Sequence, residues 1–92
     1  MQVQKQIKLK VSSKQLIILS QLFLNKEYPH NFMNREEVSK ILDCSRATVD
    51  NVMEGLQKKG YITKERGFIT FYYPTARSDI RRAILYKIGL LK

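Results

Sequence analysis

The spacing of apolar residues divides the chain into segments with helical and with strand periodicity. Residues 1–11 alternate polar and apolar side chains from Val3 onward, which predicts a short strand or an extended arm. Residues 12–25 predict a first helix that begins with a serine cap. Apolar side chains lie on more than one face of this helix, so we expect it to be covered on more than one side.

Two further helices follow, with a tight turn between them. Residues 34–42 begin with Asn34-Arg35-Glu36-Glu37, which is typical of a capping box. Residues 45–59 carry one apolar stripe at the spacing i, i+3, i+4 and i+7, formed by Val49, Val52, Met53 and Leu56. Asp43 lies in the turn and is one of the few residue types that tolerate the left-handed conformation. Two helices joined in this way form a helix-turn-helix.

The hydrophobic period changes to two in the next segment. Residues 61–73 are rich in β-branched and aromatic side chains and predict a hairpin, the wing, with strands 61–64 and 68–73 and its turn at Glu65-Arg66-Gly67. Residues 75–91 predict a C-terminal helix. The predicted fold class is therefore α+β and mostly helical: one winged helix-turn-helix domain over residues 1–92, with an N-terminal strand or arm and a C-terminal dimerisation helix.

Composition narrows the possible functions. The chain has 92 residues, of which 43% are apolar, so it forms one domain and is not disordered. One cysteine and one histidine argue against a disulfide framework, a zinc site and acid–base catalysis, so we expect no metal, no cofactor and no enzymatic activity. The N-terminal pattern is unlike a signal peptide, and no apolar run is long enough to span a bilayer, which predicts a cytoplasmic protein with no membrane contact.

The net charge of +9 indicates a polyanionic partner, most simply nucleic acid. The excess is not in the helix-turn-helix, because residues 34–60 hold five basic and five acidic side chains. Residues 1–14 and 75–92 carry +4 each. These terminal charges either hold the DNA backbone beside the groove or belong to solvated faces of a strand and a helix.

Three segments of the chain resemble winged helix-turn-helix transcription regulators, akin to the small one-domain MarR and ArsR groups of bacteria, archaea and archaeal viruses. The segment Val38-Ser39-Lys40-Ile41-Leu42-Asp43-Cys44-Ser45-Arg46-Ala47-Thr48-Val49 is similar to their bihelical core. The segment Leu56-Gln57-Lys58-Lys59-Gly60-Tyr61-Ile62 is similar to the passage into the wing, and Phe71-Tyr72-Tyr73-Pro74-Thr75 to the exit from it. The resemblance implies DNA binding, with residues 45–59 as the recognition helix.

The sequence departs from these regulators at two places. Asp43 and Cys44 stand where the family often has glycine and an aliphatic residue, and we interpret Cys44 as a small buried apolar residue. Asp50 and Glu54 place acids on the recognition helix, where many relatives have neutral or basic residues. Acids that face DNA would repel phosphates.

The physical case for DNA contact rests on the start of the recognition helix. An α-helix fits the major groove, and its N-terminus offers free N–H groups to phosphate. Arg46 suits guanine or a phosphate, Asn51 suits adenine, and the wing tip suits a flanking backbone or minor groove. The residues predicted to contact double-stranded DNA are Arg35, Ser45, Arg46, Ala47, Thr48, Asp50, Asn51, Lys58, Lys64 and Arg66. Alternatively, Ser45, Thr48 and Asn51 are capping and solvated residues.

The surplus apolar surface of the first and last helices predicts a homodimer. The residues predicted to form its interface are Leu16, Leu19, Phe23, Ile80, Ile84, Ile88 and Leu91. Two recognition helices would then meet half-sites about one helical turn apart.

Two other functions remain open at this stage. The neutral helix-turn-helix favours a protein-interaction module of a transcription or replication assembly. The aromatic hairpin suggests a binder of single-stranded nucleic acid, through base stacking on Tyr61, Phe68, Phe71, Tyr72 and Tyr73. At strand spacing, the same side chains are more often packed in a core or a dimer interface. The sequence does not specify a small-molecule effector.

Overall fold

A computed structural model of the protein describes residues 9–26 and 30–90. The helices in these ranges are α1 (Ser13–Ser20), α2 (Arg35–Leu42), α3 (Arg46–Lys58) and α4 (Ser78–Leu90). The strands are β1 (Met33–Asn34), β2 (Ile62–Glu65) and β3 (Phe71–Pro74). The predicted fold class, a mostly helical winged helix-turn-helix, is confirmed.

The first helix begins with a complete capping box. Ser12 Oγ accepts from the Gln15 backbone N–H at 3.2 Å, and Gln15 Oε1 accepts from the Ser12 N–H at 3.0 Å. The helix widens into a π-helical turn over Gln21–Asn25. Residues 9–11 form no strand, because they have no ladder partner, and residues 1–8 of the predicted arm lie outside the described residues.

Local hydrogen bonds set the bounds of the helix-turn-helix. Asn34 Oδ1 caps α2 by accepting from the Glu37 N–H at 2.7 Å, and Ser45 Oγ caps α3 by accepting from the Thr48 N–H at 3.3 Å. Between them, Asp43 adopts the left-handed conformation, with φ 50°. The reciprocal bond predicted for Glu37 is replaced, because its carboxylate pairs with Lys26 Nζ at 2.6 Å.

The wing belongs to a three-stranded antiparallel sheet with the order β1-β3-β2. Glu65 pairs with Phe71, so residues 66–70 form the tip. The prediction that residues 68–70 belong to the second strand is wrong, because the ladder ends at this pair. The chain leaves the sheet at Thr75, whose N–H donates to the Tyr61 carbonyl at 3.1 Å, and α4 begins later than predicted.

The hydrophobic core joins all four described helices to the sheet. Val49, Met53 and Leu56 bury the inner stripe of α3, as the spacing predicts. Gly55 on the same helix is explained by close packing, since a Cβ there would lie 2.6 Å from Gln15 Nε2. That amide donates to the Val52 carbonyl at 3.4 Å and so holds α1 against α3.

The structure places most residues of the predicted dimer interface in the chain's own core. Four of its seven residues are buried in the chain's own core, namely Leu19, Ile80, Ile84 and Ile88. Leu16 and Phe23 are half-buried against the same core, and Leu91 lies outside the described residues. The surplus apolar surface is therefore used mainly within one subunit, because α4 packs back onto the helix-turn-helix domain.

Candidate nucleic-acid interface

The start of α3 presents a polar, exposed surface. Ser45, Arg46, Ala47 and Asn51 are exposed, while Thr48 is half-buried. The buried stripe on the other side of the helix fixes this orientation. Ser45 also caps the helix by accepting from the Thr48 N–H, and the two hydroxyl oxygens lie 3.2 Å apart.

The acids of α3 are neutralised by neighbouring cations. Arg35 Nε lies 2.9 Å from Asp50 Oδ1, and Lys58 Nζ lies 3.3 Å from Glu54 Oε1. The first pair joins α2 to α3 and is partly sheltered, with the two side chains 26% and 43% exposed. Arg35 and Asp50, both predicted to contact DNA, are therefore directed towards each other. Each pair reduces the repulsion that a free carboxylate would exert on phosphate.

Tyr72 lies behind this ion pair, at the centre of the sheet. Its hydroxyl is buried and has no hydrogen-bond partner in the part of the chain that the structure describes. Burial raises the pKa of Tyr72, and the nearby Arg35 guanidinium opposes that shift. Arg35 donates its Nε–H to Asp50 Oδ1. Arg35 therefore links the recognition helix electrostatically to the wing strand.

The wing tip carries both basic and apolar side chains. Of the two basic residues predicted to contact DNA here, Arg66 is exposed and Lys64 is half-buried. Beyond them, Phe68 is fully exposed and Ile69 is 54% exposed. The sequence interpretation treated Phe68 as a strand residue for stacking or packing and did not single out Ile69; both are exposed because the ladder ends at Glu65 and Phe71.

The other aromatic residues of the wing are packed against protein. Tyr61 and Tyr72 belong to the core. The ring of Phe32 lies 5.3 Å from that of Phe71 and 5.6 Å from that of Tyr73, between centroids. These contacts remove most of the stacking platform that the single-strand hypothesis requires.

Several charges near the ends of the described chain already have protein partners. Arg77 pairs with Asp79 at 2.8 Å, and Arg81 donates to the Thr75 carbonyl at 3.3 Å. Lys59 donates to the Lys10 carbonyl. Arg82 on α4 is exposed. Part of the basic excess at the C-terminal end therefore stabilises α4 and the segment that leads into this helix.

The described residues contain no group of three or more His, Cys, Asp or Glu side chains placed to hold a metal ion. Cys44 is a half-buried free cysteine whose carbonyl accepts from Ser39 Oγ at 2.8 Å. Within residues 9–26 and 30–90, no helix is long and apolar enough to cross a membrane.

A helix-turn-helix with an exposed second helix, followed directly by a β-hairpin, defines the winged helix-turn-helix class of proteins. The family model described as "Sugar-specific transcriptional regulator TrmB" matches residues 30–87, and the chain belongs to this TrmB family. The resemblance to winged helix-turn-helix regulators is thereby confirmed. The members of this family are described as transcriptional regulators. No curated protein shows significant sequence similarity to the chain.

Solved structures share the fold at low sequence identity. The transcriptional regulator Tm0710 from Thermotoga maritima is 17% identical with a TM-score of 0.66, over 88% of this chain and 56% of that one. MepR of Staphylococcus aureus, a transcription regulator of the multidrug efflux pump MepA, is 16% identical with a TM-score of 0.66, over 88% of this chain and 60% of its own. The chain thus spans less than two thirds of the length of either structure.

Proposed function

We propose that the protein binds double-stranded DNA sequence-specifically as a homodimeric transcription regulator. The start of α3 enters the major groove, and the wing tip contacts the flanking backbone or minor groove. The observation that carries this proposal is the exposed start of α3, which offers Arg46, Ala47 and Asn51 while Asp50 is paired with Arg35.

Each exposed side chain of α3 suits a different feature of the major groove. Arg46 donates to guanine or to a phosphate, and Asn51 pairs its amide with adenine. Ala47 meets a thymine methyl. The N-terminus of α3, with Ser45 and Thr48, approaches a phosphate. Lys58, Lys64 and Arg66 contact the backbone, which makes binding salt-dependent, with a slope of about −0.9 per phosphate neutralised.

The dimer interface lies on the outer face of α4 in this proposal. Leu85 is 39% exposed and Tyr86 is 63% exposed, although both are large hydrophobic residues. Burial of this face in a second subunit would place two recognition helices on one duplex. Sedimentation equilibrium tests it: Leu85→Glu should convert dimers to monomers, whereas Thr63→Glu, at an exposed position of β2, should not. A wild-type monomer at all concentrations would contradict the dimer.

Selection of bound sites from a pool of random duplexes, followed by gel shift, tests DNA binding. Asn51→Ala should weaken binding to the selected duplex about tenfold or more and relax the preference at one base pair. Gln57→Ala is the matched control, because Gln57 is exposed further along the same helix. If the wild type binds the selected duplex no more tightly than bulk DNA at moderate salt, specific recognition is refuted.

A protein-interaction module is the second candidate, and the ion-paired, neutral helix-turn-helix favours it. The two functions give opposite results for Arg46→Ala. DNA affinity falls if α3 reads the groove, and it stays unchanged if the helix docks on another protein.

A further inference from the structure

The tip of the wing carries Phe68, the most exposed large hydrophobic residue of the described chain. The β2–β3 ladder ends at Glu65 and Phe71, and Phe68 stands fully exposed in the loop between them. Ile69 beside it is 54% exposed. An open cleft of about 240 Å³ lies at the tip and is lined by Glu65, Arg66, Gly67, Phe68, Ile69 and Phe71.

Two basic side chains and one acidic side chain, Glu65, accompany this apolar tip. Arg66 is exposed within the loop, and Lys64 lies on the strand that leads to it. A partner that suits both features carries anionic groups on its surface and has apolar surface between them. Duplex DNA has this character, since phosphates line the groove and stacked bases fill it. The tip belongs to the same winged-helix domain as the exposed start of α3, which favours one duplex as the partner of both elements.

We propose that Phe68 and Ile69 form a wedge that enters the minor groove beside the α3 contact and partly unstacks one base step, while Lys64 and Arg66 hold the adjacent phosphates. This inference rests on the proposed DNA binding and deepens it. Apolar side chains inserted between base steps kink a duplex by roughly 20–90°. Flexible TA or CA/TG steps deform most easily. The wedge therefore selects such a step at a constant offset from the sequence that α3 contacts.

The experiment uses the full chain and the duplex selected by the wild type. A 2-aminopurine base is placed in turn at each flanking step, and donor and acceptor dyes on the duplex ends report bending. The wild type should raise the fluorescence at one step and shorten the end-to-end distance. Phe68→Ala should abolish both effects and weaken binding about tenfold. Phe68→Leu should retain most of both, since leucine also wedges.

Two controls separate the wedge from folding and from DNA binding in general. Phe68→Ala should leave the thermal midpoint unchanged, because the side chain is fully exposed. Thr63→Ala, on an exposed position of β2 outside the tip, should leave unstacking, bending and affinity unchanged.

The results distinguish failure of the wedge from failure of the proposed function. If the wild type binds its selected duplex but Phe68→Ala has the same affinity, fluorescence and bend, the wedge is overturned and DNA recognition stands. Loss of affinity with unchanged unstacking also overturns it, because the tip then packs outside the base stack. If the wild type shows no preference among duplexes, both proposals fall.

Discussion

The start of α3 and the tip of the wing are both exposed, yet they are supported in different ways. The start of α3 is polar, capped by Ser45 and tied to α2 through Asp50 and Arg35. Behind it lies a stripe of buried residues. The wing tip has an exposed apolar surface and no comparable support, because the sheet ends before Phe68. A rigid, polar surface suits the recognition of base edges, whereas a projecting apolar loop suits insertion between bases or contact with the surface of a partner.

The largest expected difference between the two regions concerns stability. Leu56→Ala should lower the free energy of unfolding by about 2–5 kcal/mol, because it leaves a cavity behind α3. Phe68→Ala should change it by less than about 0.5 kcal/mol. Urea unfolding of both variants measures the contrast. A large loss for Phe68→Ala would mean that the tip packs against protein.

The turn that holds α3 in place is the next point to test. Asp43→Ala should lower the free energy of unfolding by roughly 1–2 kcal/mol, since alanine lacks a side chain that stabilises the left-handed conformation. Asp43→Gly is the matched control and should be tolerated. Equal losses for the two variants, in denaturant titrations, would mean that the carboxylate and not the backbone conformation matters.

Tyr72 is buried on the wing strand near Arg35 and Asp50, and its titration tests that burial. Because burial raises the pKa of Tyr72 above about 10, the folded protein keeps a proton that the unfolded chain loses. Its stabilising contribution is complete below about pH 10 and is lost as the pH rises through the folded-state pKa. Tyr72→Phe should therefore lose less stability than the wild type between about pH 9 and pH 11. Parallel thermal scans at those pH values would show the difference, and identical declines would argue against a buried hydroxyl.

The smallest expected effect concerns the packing of α1 behind the recognition helix. Gly55→Ala should stabilise α3 by about 1 kcal/mol through helix propensity when Gln15 is replaced by alanine. In the wild-type background the gain should be smaller, because the new Cβ meets the Gln15 amide. A double-mutant cycle at these two positions measures the coupling. Equal gains in both backgrounds would show that the amide moves aside without cost.

Sequence patterns predicted the helix-turn-helix well because its determinants are local. The caps at Asn34 and Ser45 act within three residues, and the buried stripe of α3 follows from helical spacing. The same patterns did not place the ends of the wing strands. The wing strands end at the last ladder pair, Glu65 with Phe71, and Phe68 and Ile69 lie in the loop beyond it. Strand β1 was too short to produce any periodicity.

The sequence by itself determined the fold class, the turn at Asp43 and the face of α3 that is buried, because these depend on capping, backbone preference and period. Only the tertiary structure decided which residues each side chain meets. It paired Asp50 with Arg35 across two helices, buried the apolar face of α4 in the chain's own core and left Phe68 exposed. Apolar periodicity predicts that a face of a helix or strand is buried, but the tertiary packing decides which residues bury it.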